Sequence, residues 1–113
     1  MFNKDDLLHV LQSHIGKNNG ASVSKLVMEL AFVDGGQLSD MERRVRKLVQ
    51  ALRMEGHHIC ALPETGYFIA ANDQDLNDTC EHLLERAMSS LAQVSRMKND
   101  SLPDLRGQLN LPT

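Results

Sequence analysis

The chain contains no tryptophan, one tyrosine and three phenylalanines in 113 residues. So few rings leave no broad aromatic platform for binding. No apolar run nears the roughly 20 residues that a membrane-spanning helix needs. The first ten residues, MFNKDDLLHV, also lack a secretory pattern. Both absences predict a cytoplasmic protein with no membrane partner. Catalytic signatures are missing as well. There is no phosphate loop, no nucleophile elbow and no zinc-protease motif. Gly35-Gly36 has neither the preceding strand nor the lysine of a phosphate cradle. The expectation is a protein that is not an enzyme and needs no cofactor. Only two cysteines are present, Cys60 and Cys80. They fit buried, reduced thiols better than a disulfide. His57, His58 and Cys60, with Cys80 and His82, offer nitrogen and sulfur donors. Their spacing matches no standard zinc knuckle, so no metal site is expected. His9 and His14 are expected at the surface or partly packed, not as ligands.

The length suits one domain with a modest core. Net charge is −3, against a bulk nucleic-acid coat. Its distribution is uneven. Residues 39–58 hold five basic side chains and three acidic ones, whereas residues 72–98 hold three basic and five acidic.

The basic stretch, SDMERRVRKLVQALRME, organises the rest. Ser39 with Glu42 has the spacing of a capping box, and Gly56 stands where a helix needs a left-handed end. Met41, Val45, Leu48, Val49 and Leu52 recur at helical spacing and form one apolar face. Arg43, Lys47, Gln50 and Met54 run down the other, with Arg46 and Arg53 beside them and Arg44 on the flank. Such a helix can enter a DNA major groove, where Arg reads guanine, Gln reads adenine and edge cations meet phosphates. The same pattern also describes an ordinary solvated amphipathic helix.

The flanking segments decide between these. Asp5–Ile15 reads as a first helix with Leu7, Leu8, Leu11 and Ile15 on one side. Ser22 caps a second, Val23 to Leu30, with Val23, Leu26, Val27 and Leu30 inward. AFVDGGQL is a loop. After Gly56 the period changes to that of strands. His57–Leu62 and Tyr67–Ala70 read as a hairpin around Pro63-Glu64-Thr65-Gly66. Asn72 or Asp73 then caps a long helix to about Met97. Leu76, Cys80, Leu83, Ala87, Val94 and Met97, widened by Leu84, Met88 and Leu91, form its stripe.

Helix, helix, helix, hairpin, with LRMEGHHICALPETGYFIA at the junction, resembles the winged helix-turn-helix family of bacterial and phage DNA-binding proteins. The Leu52-Arg53-Met54-Glu55-Gly56 end of the helix and Gly66-Tyr67-Phe68-Ile69 of the returning strand carry the resemblance. It implies a mainly α fold with a small β-hairpin: a winged-helix domain over 1–71, a long C-terminal helix over 72–98 and a tail over 99–113. It implies sequence-selective binding of double-stranded DNA by a transcriptional or replication regulator. Arg43, Arg44, Lys47 and Gln50 would face the groove, with Arg46 and Arg53 on phosphates. The hairpin tip departs from the family pattern in having no Arg or Lys. The long helix would span almost 40 Å, more than a small domain needs, and its Leu76–Met97 stripe fits a homodimer. In the tail, Gln108-Leu109-Asn110-Leu111-Pro112 resembles the short peptide by which bacterial replication proteins bind the sliding clamp. The alternative reading is therefore an adaptor or inhibitor docking on the clamp through Gln108, Leu109, Leu111 and Pro112.

Overall fold

The structure is a computed structural model that describes residues 1–30 and 38–99. Among these residues four α-helices and one hairpin follow in the expected order, with a short 3-10 turn at Lys17–Asn19: α1 Lys4–Leu11, α2 Val23–Leu30, α3 Leu38–Met54, β1 Ile59–Leu62, β2 Gly66–Ile69 and α4 Asp73–Lys98. The fold is mainly helical with a two-stranded antiparallel hairpin and a long last helix. Residues 31–37, most of the expected loop, and the tail carrying Gln108, Leu109, Leu111 and Pro112 lie outside the described residues. Among the described residues, no helix is long and apolar enough to cross a membrane. The chain divides into two compact units, Met1–Thr79 and Cys80–Thr113.

The first unit is built around one core. Phe2, Leu7, Leu11, Ala21, Leu26, Val27, Leu30, Met41, Val45, Val49, Leu52 and Ile59 form a single buried cluster. The start of α1 shows why Phe2 belongs to it. Asn3 accepts from the Asp6 N–H at 3.0 Å, and Asp6 accepts from the Asn3 N–H at 2.9 Å. This reciprocal cap fixes the chain direction before the helix. It sets Phe2 and Leu7, the residue before the cap and the fourth helical residue, into the same core, as in a hydrophobic staple.

Helix α1 ends earlier than the apolar spacing predicts. Ile69 donates to the His14 carbonyl and accepts from the Gly16 N–H, both at 2.8 Å. The chain at 14–16 is therefore extended and lies parallel to β2 at Ile15. In an extended chain neighbouring side chains alternate. His14 is buried and Ile15 is 48 % exposed, the reverse of the helical expectation. The His14 ring spans two acceptors. Its Nδ1 lies 2.9 Å from the Asn19 carbonyl and its Nε2 lies 3.0 Å from Glu29. That bridge ties the turn after α1 to α2. Ala21 then pairs antiparallel with Tyr67, its N–H donating at 2.8 Å and its carbonyl accepting at 2.7 Å. Ser22 caps α2 as expected, its Oγ accepting from the Lys25 N–H at 3.1 Å.

Helix α3 starts at Leu38, so Ser39 sits inside its first turn and is not the cap. Glu42 closes no box. Its carboxylate accepts from Ser24 Oγ at 3.0 Å and so joins α3 to α2. The other end follows expectation. Gly56 has φ +98°. Its N–H donates to the Arg53 carbonyl at 2.9 Å, and the His57 N–H reaches back to Leu52 at 3.1 Å. These two bonds are those of a Schellman ending. His57 is spent on the helix end, so β1 begins only at Ile59.

The hairpin pairs Ile59 with Ile69 and Leu62 with Gly66. The outer edge of β1 is covered within the same unit. The Ala61 N–H donates to Thr79 Oγ1 at 3.3 Å. Asn72 Oδ1 caps α4, accepting from the Asp75 N–H at 2.9 Å. Asp75 and Thr79, one turn apart, are buried. They occupy the side of α4 that meets the hairpin, so Cys80, the next residue round, is exposed instead of buried as expected.

In the second unit Leu91 is buried, while Leu83, Leu84, Val94 and Met97 are exposed, Met97 at 84 %.

Candidate nucleic-acid interface

Helix α3 has two faces with opposite tasks. Met41, Val45, Val49 and Leu52 are buried in the core. They fix the rotation of the helix, because turning it would expose all four. On the opposite side Arg43, Lys47, Gln50 and Met54 are exposed, Met54 at 88 %. At 1.5 Å per residue, Arg43 to Gln50 covers about 10 Å along the axis, or roughly three base pairs. None of Arg43, Arg46, Lys47 and Gln50 hydrogen-bonds or ion-pairs with another described residue. Their donors are therefore available to a ligand.

The flanks behave differently. Arg44 Nε donates to the Phe2 carbonyl at 2.7 Å, and its guanidinium lies 5.5 Å from the centre of the Phe2 ring. Arg53 Nε donates to the Ile59 carbonyl at 2.7 Å. Both arginines are half-buried. Each is anchored to a neighbouring segment, Arg44 to the chain before α1 and Arg53 to β1. Of the expected groove-facing residues, the structure brings Arg43, Lys47 and Gln50 onto one open surface and turns Arg44 to its edge. Arg46 is exposed on the Arg53 side.

Acidic groups near this face are few. Glu55 follows the last turn of α3, and Lys4 Nζ donates to it at 2.9 Å. That hydrogen bond holds the Glu55 carboxyl below its ordinary range and the Lys4 ammonium above its own. Asp40 lies one turn before Arg44, beside a concavity of about 240 Å³ lined also by Met1, Arg43, Arg44, Lys47 and Leu48. The hairpin tip, Pro63 to Gly66, presents no cation.

Among the described residues, no three His, Cys, Asp or Glu side chains converge. Cys60 is buried against α4, where its thiol points at the Asp75 carbonyl at 3.5 Å, and His57 and His58 are exposed.

Sequence reasoning missed three contributors, Phe2, His14 with Glu29, and Thr79. Phe2 was readable, because Asn3 and Asp6 have cap spacing and Leu7 follows. The other two depend on pairings between segments distant in sequence, which no local pattern carries.

No protein-family model matches the chain, and comparison with curated proteins and with solved structures gives no match either.

Proposed function

We propose that this protein is a sequence-selective double-stranded-DNA-binding regulator of transcription or replication, of bacterial or phage winged-helix type, acting in the cytoplasm. The observation that carries the reading is the outer face of α3. Arg43, Lys47 and Gln50 are exposed and have no hydrogen-bond or ion-pair partner among the described residues, on a helix whose rotation the core fixes. A helix with its side chains is about 10–12 Å across, the width of a major groove. Arg43 and Lys47 suit the acceptors of guanine, and Gln50 suits adenine. Arg46 on one flank and Arg44 on the other are set to meet the two phosphate backbones, whereas Arg53, with its Nε on the Ile59 carbonyl and its Nη2 buried, is turned into the fold. The order of three helices and a hairpin supports the same reading, as does the pairing of residues 14–21 with β2. The cation-free hairpin tip leaves recognition to α3.

The protein acts as a homodimer in this reading, through the apolar side of α4 that leaves Leu83, Leu84, Val94 and Met97 exposed. Two copies of α3 about one DNA turn apart then read a palindromic site.

Charge reversal tests the reading. Arg43→Glu with Lys47→Glu abolishes DNA binding while the circular dichroism spectrum stays that of the wild type. A doubly reversed protein that binds DNA as the wild type does refutes it. The clamp-binding alternative then leads, and Leu109→Ala with Leu111→Ala is the matching test.

A further inference from the structure

The concavity beside α3 shares Arg43 and Lys47 with the groove-reading row and extends from it toward the chain that precedes α1. Arg43, Arg44 and Lys47 line it with the single carboxylate of Asp40, together with Leu48 and Met1. Three cations against one acid make it an anion site by charge. Its form is more specific than a patch of surface lysines, because one of the three cations is held. The Arg44 Nε is committed to the Phe2 carbonyl at 2.7 Å and the Phe2 ring lies 5.5 Å from the guanidinium. Phe2 itself is fully buried. The guanidinium is thus fixed to the core through a side chain that cannot move without opening it. The remaining four N–H donors of Arg44 are on its two Nη atoms, the arrangement that grips an oxyanion at two points. A pre-set arginine loses less freedom on binding than a mobile lysine does. Lys47 and Arg43, both exposed, reach the same concavity from the next turn and from the neighbouring residue.

We propose that this concavity is a phosphate seat, with Arg44 as its clamp and Lys47 and Arg43, the cations of the reading row, supplying positive charge around it. In the complex with DNA it takes one backbone phosphodiester of the strand on the Phe2 side of the groove; this assignment rests on the α3 reading above. The seat makes Phe2 a positioning residue: it touches no ligand but orients the arginine that does. It also sets the register of α3, because a phosphate held at this edge places Arg43, Lys47 and Gln50 over fixed base pairs.

The test has two arms on the full chain. In the first, binding to random and selected duplexes is measured across a salt series for the wild type and for Arg44→Gln. The loss of one phosphate contact lowers the slope of log affinity on log salt by about 0.9. It weakens both duplexes alike and leaves their ratio unchanged. In the second, inorganic phosphate is titrated while the Arg44 Nε–H signal and the amide signals of Asp40 to Leu48 are followed by NMR. The wild type shows saturable shifts confined to these signals, and Arg44→Gln shows none. Arg44→Lys, which keeps the charge and loses the bond to Phe2, checks folding and recovers part of the phosphate response. Shifts with an unchanged DNA slope keep the seat but overturn its DNA occupant, and assign it to a free phosphate compound. Shifts from a wild type that binds no DNA sink the α3 reading and leave the seat standing. The absence of phosphate shifts, together with an unchanged slope or no DNA binding, overturns the proposal.

Discussion

Replacing Phe2 by alanine removes a ring that has no exposed surface and lies in the same cluster as Leu7 and Leu11. Truncating a buried phenylalanine costs about 3–5 kcal/mol. The contact of the ring with the Arg44 guanidinium adds about 0.5–1 kcal/mol. Phe2 stands one residue before the α1 cap, so the chain there can close part of the cavity. That places the expected loss near the lower bound, about 3 kcal/mol. A domain of this size has roughly 5–15 kcal/mol in all, so a fifth or more of its stability is at stake. The melting temperature should fall by about 12 °C or more. Urea unfolding followed by circular dichroism gives the number, with the slope of free energy on urea unchanged. A double-mutant cycle with Arg44→Gln should return a coupling of about 0.5–1 kcal/mol. A Phe2→Ala loss below about 1 kcal/mol would refute the reasoning, because a ring in a closed core cannot be that cheap.

Gly66 and Gly56 both have positive φ, +81° and +98°, but differ in their surroundings. A methyl group at Gly56 meets nothing within 4 Å, whereas one at Gly66 runs into the backbone of Ala21 and Ser22. Gly56→Ala should therefore cost about 1 kcal/mol from φ alone, and Gly66→Ala at least about 2 kcal/mol; equal losses in denaturant unfolding would contradict the pairing of residue 21 with β2. Thr79→Val removes the acceptor of the Ala61 N–H while keeping the shape, at about 1–3 kcal/mol, and amide exchange at Ala61 should quicken while that at Ile59 does not. The Lys4–Glu55 pair makes a small, salt-sensitive contribution to stability. The folded Glu55 carboxyl is lowered, so its share is present above the unfolded value and lost as pH falls through the folded one. The folded Lys4 ammonium is raised, so its share is present below its unfolded value and lost as pH rises through the folded one. NMR titration should show the Glu55 carboxyl moving back up in Lys4→Ala; an unmoved titration curve would remove the pair from the account.

The helices and hairpin were legible in the sequence because their signals are local. The apolar spacing of α3 sets its buried face, Gly56 its end, and the change of period after Gly56 the hairpin. The errors arose where a distant segment overrides local spacing. Ile15 continues the α1 periodicity, yet His14 and Gly16 bond to Ile69, and that pairing straightens the chain. Ser39 and Glu42 have box spacing, yet the helix begins one residue sooner and Ser24 takes the Glu42 carboxylate. Cys80 fits the heptad of α4, but Asp75 and Thr79 form the side that meets the hairpin. At the candidate interface, helical geometry alone gave the open row of Arg43, Lys47 and Gln50. It could not show that Arg44 and Arg53 are anchored to backbone carbonyls, since Phe2 is 42 residues away and the Ile59 carbonyl is placed by the hairpin.

The measurement closest to the central claim is the affinity of the wild-type protein for duplex DNA across a salt series, with its mass in solution recorded alongside. Arg44 and Arg46 flank the reading row. Two phosphate contacts from these give a slope of log affinity on log salt of about −1.8 per protomer, doubled if two copies bind together. A folded protein that binds no duplex at low salt would contradict the account and make α3 a plain surface helix.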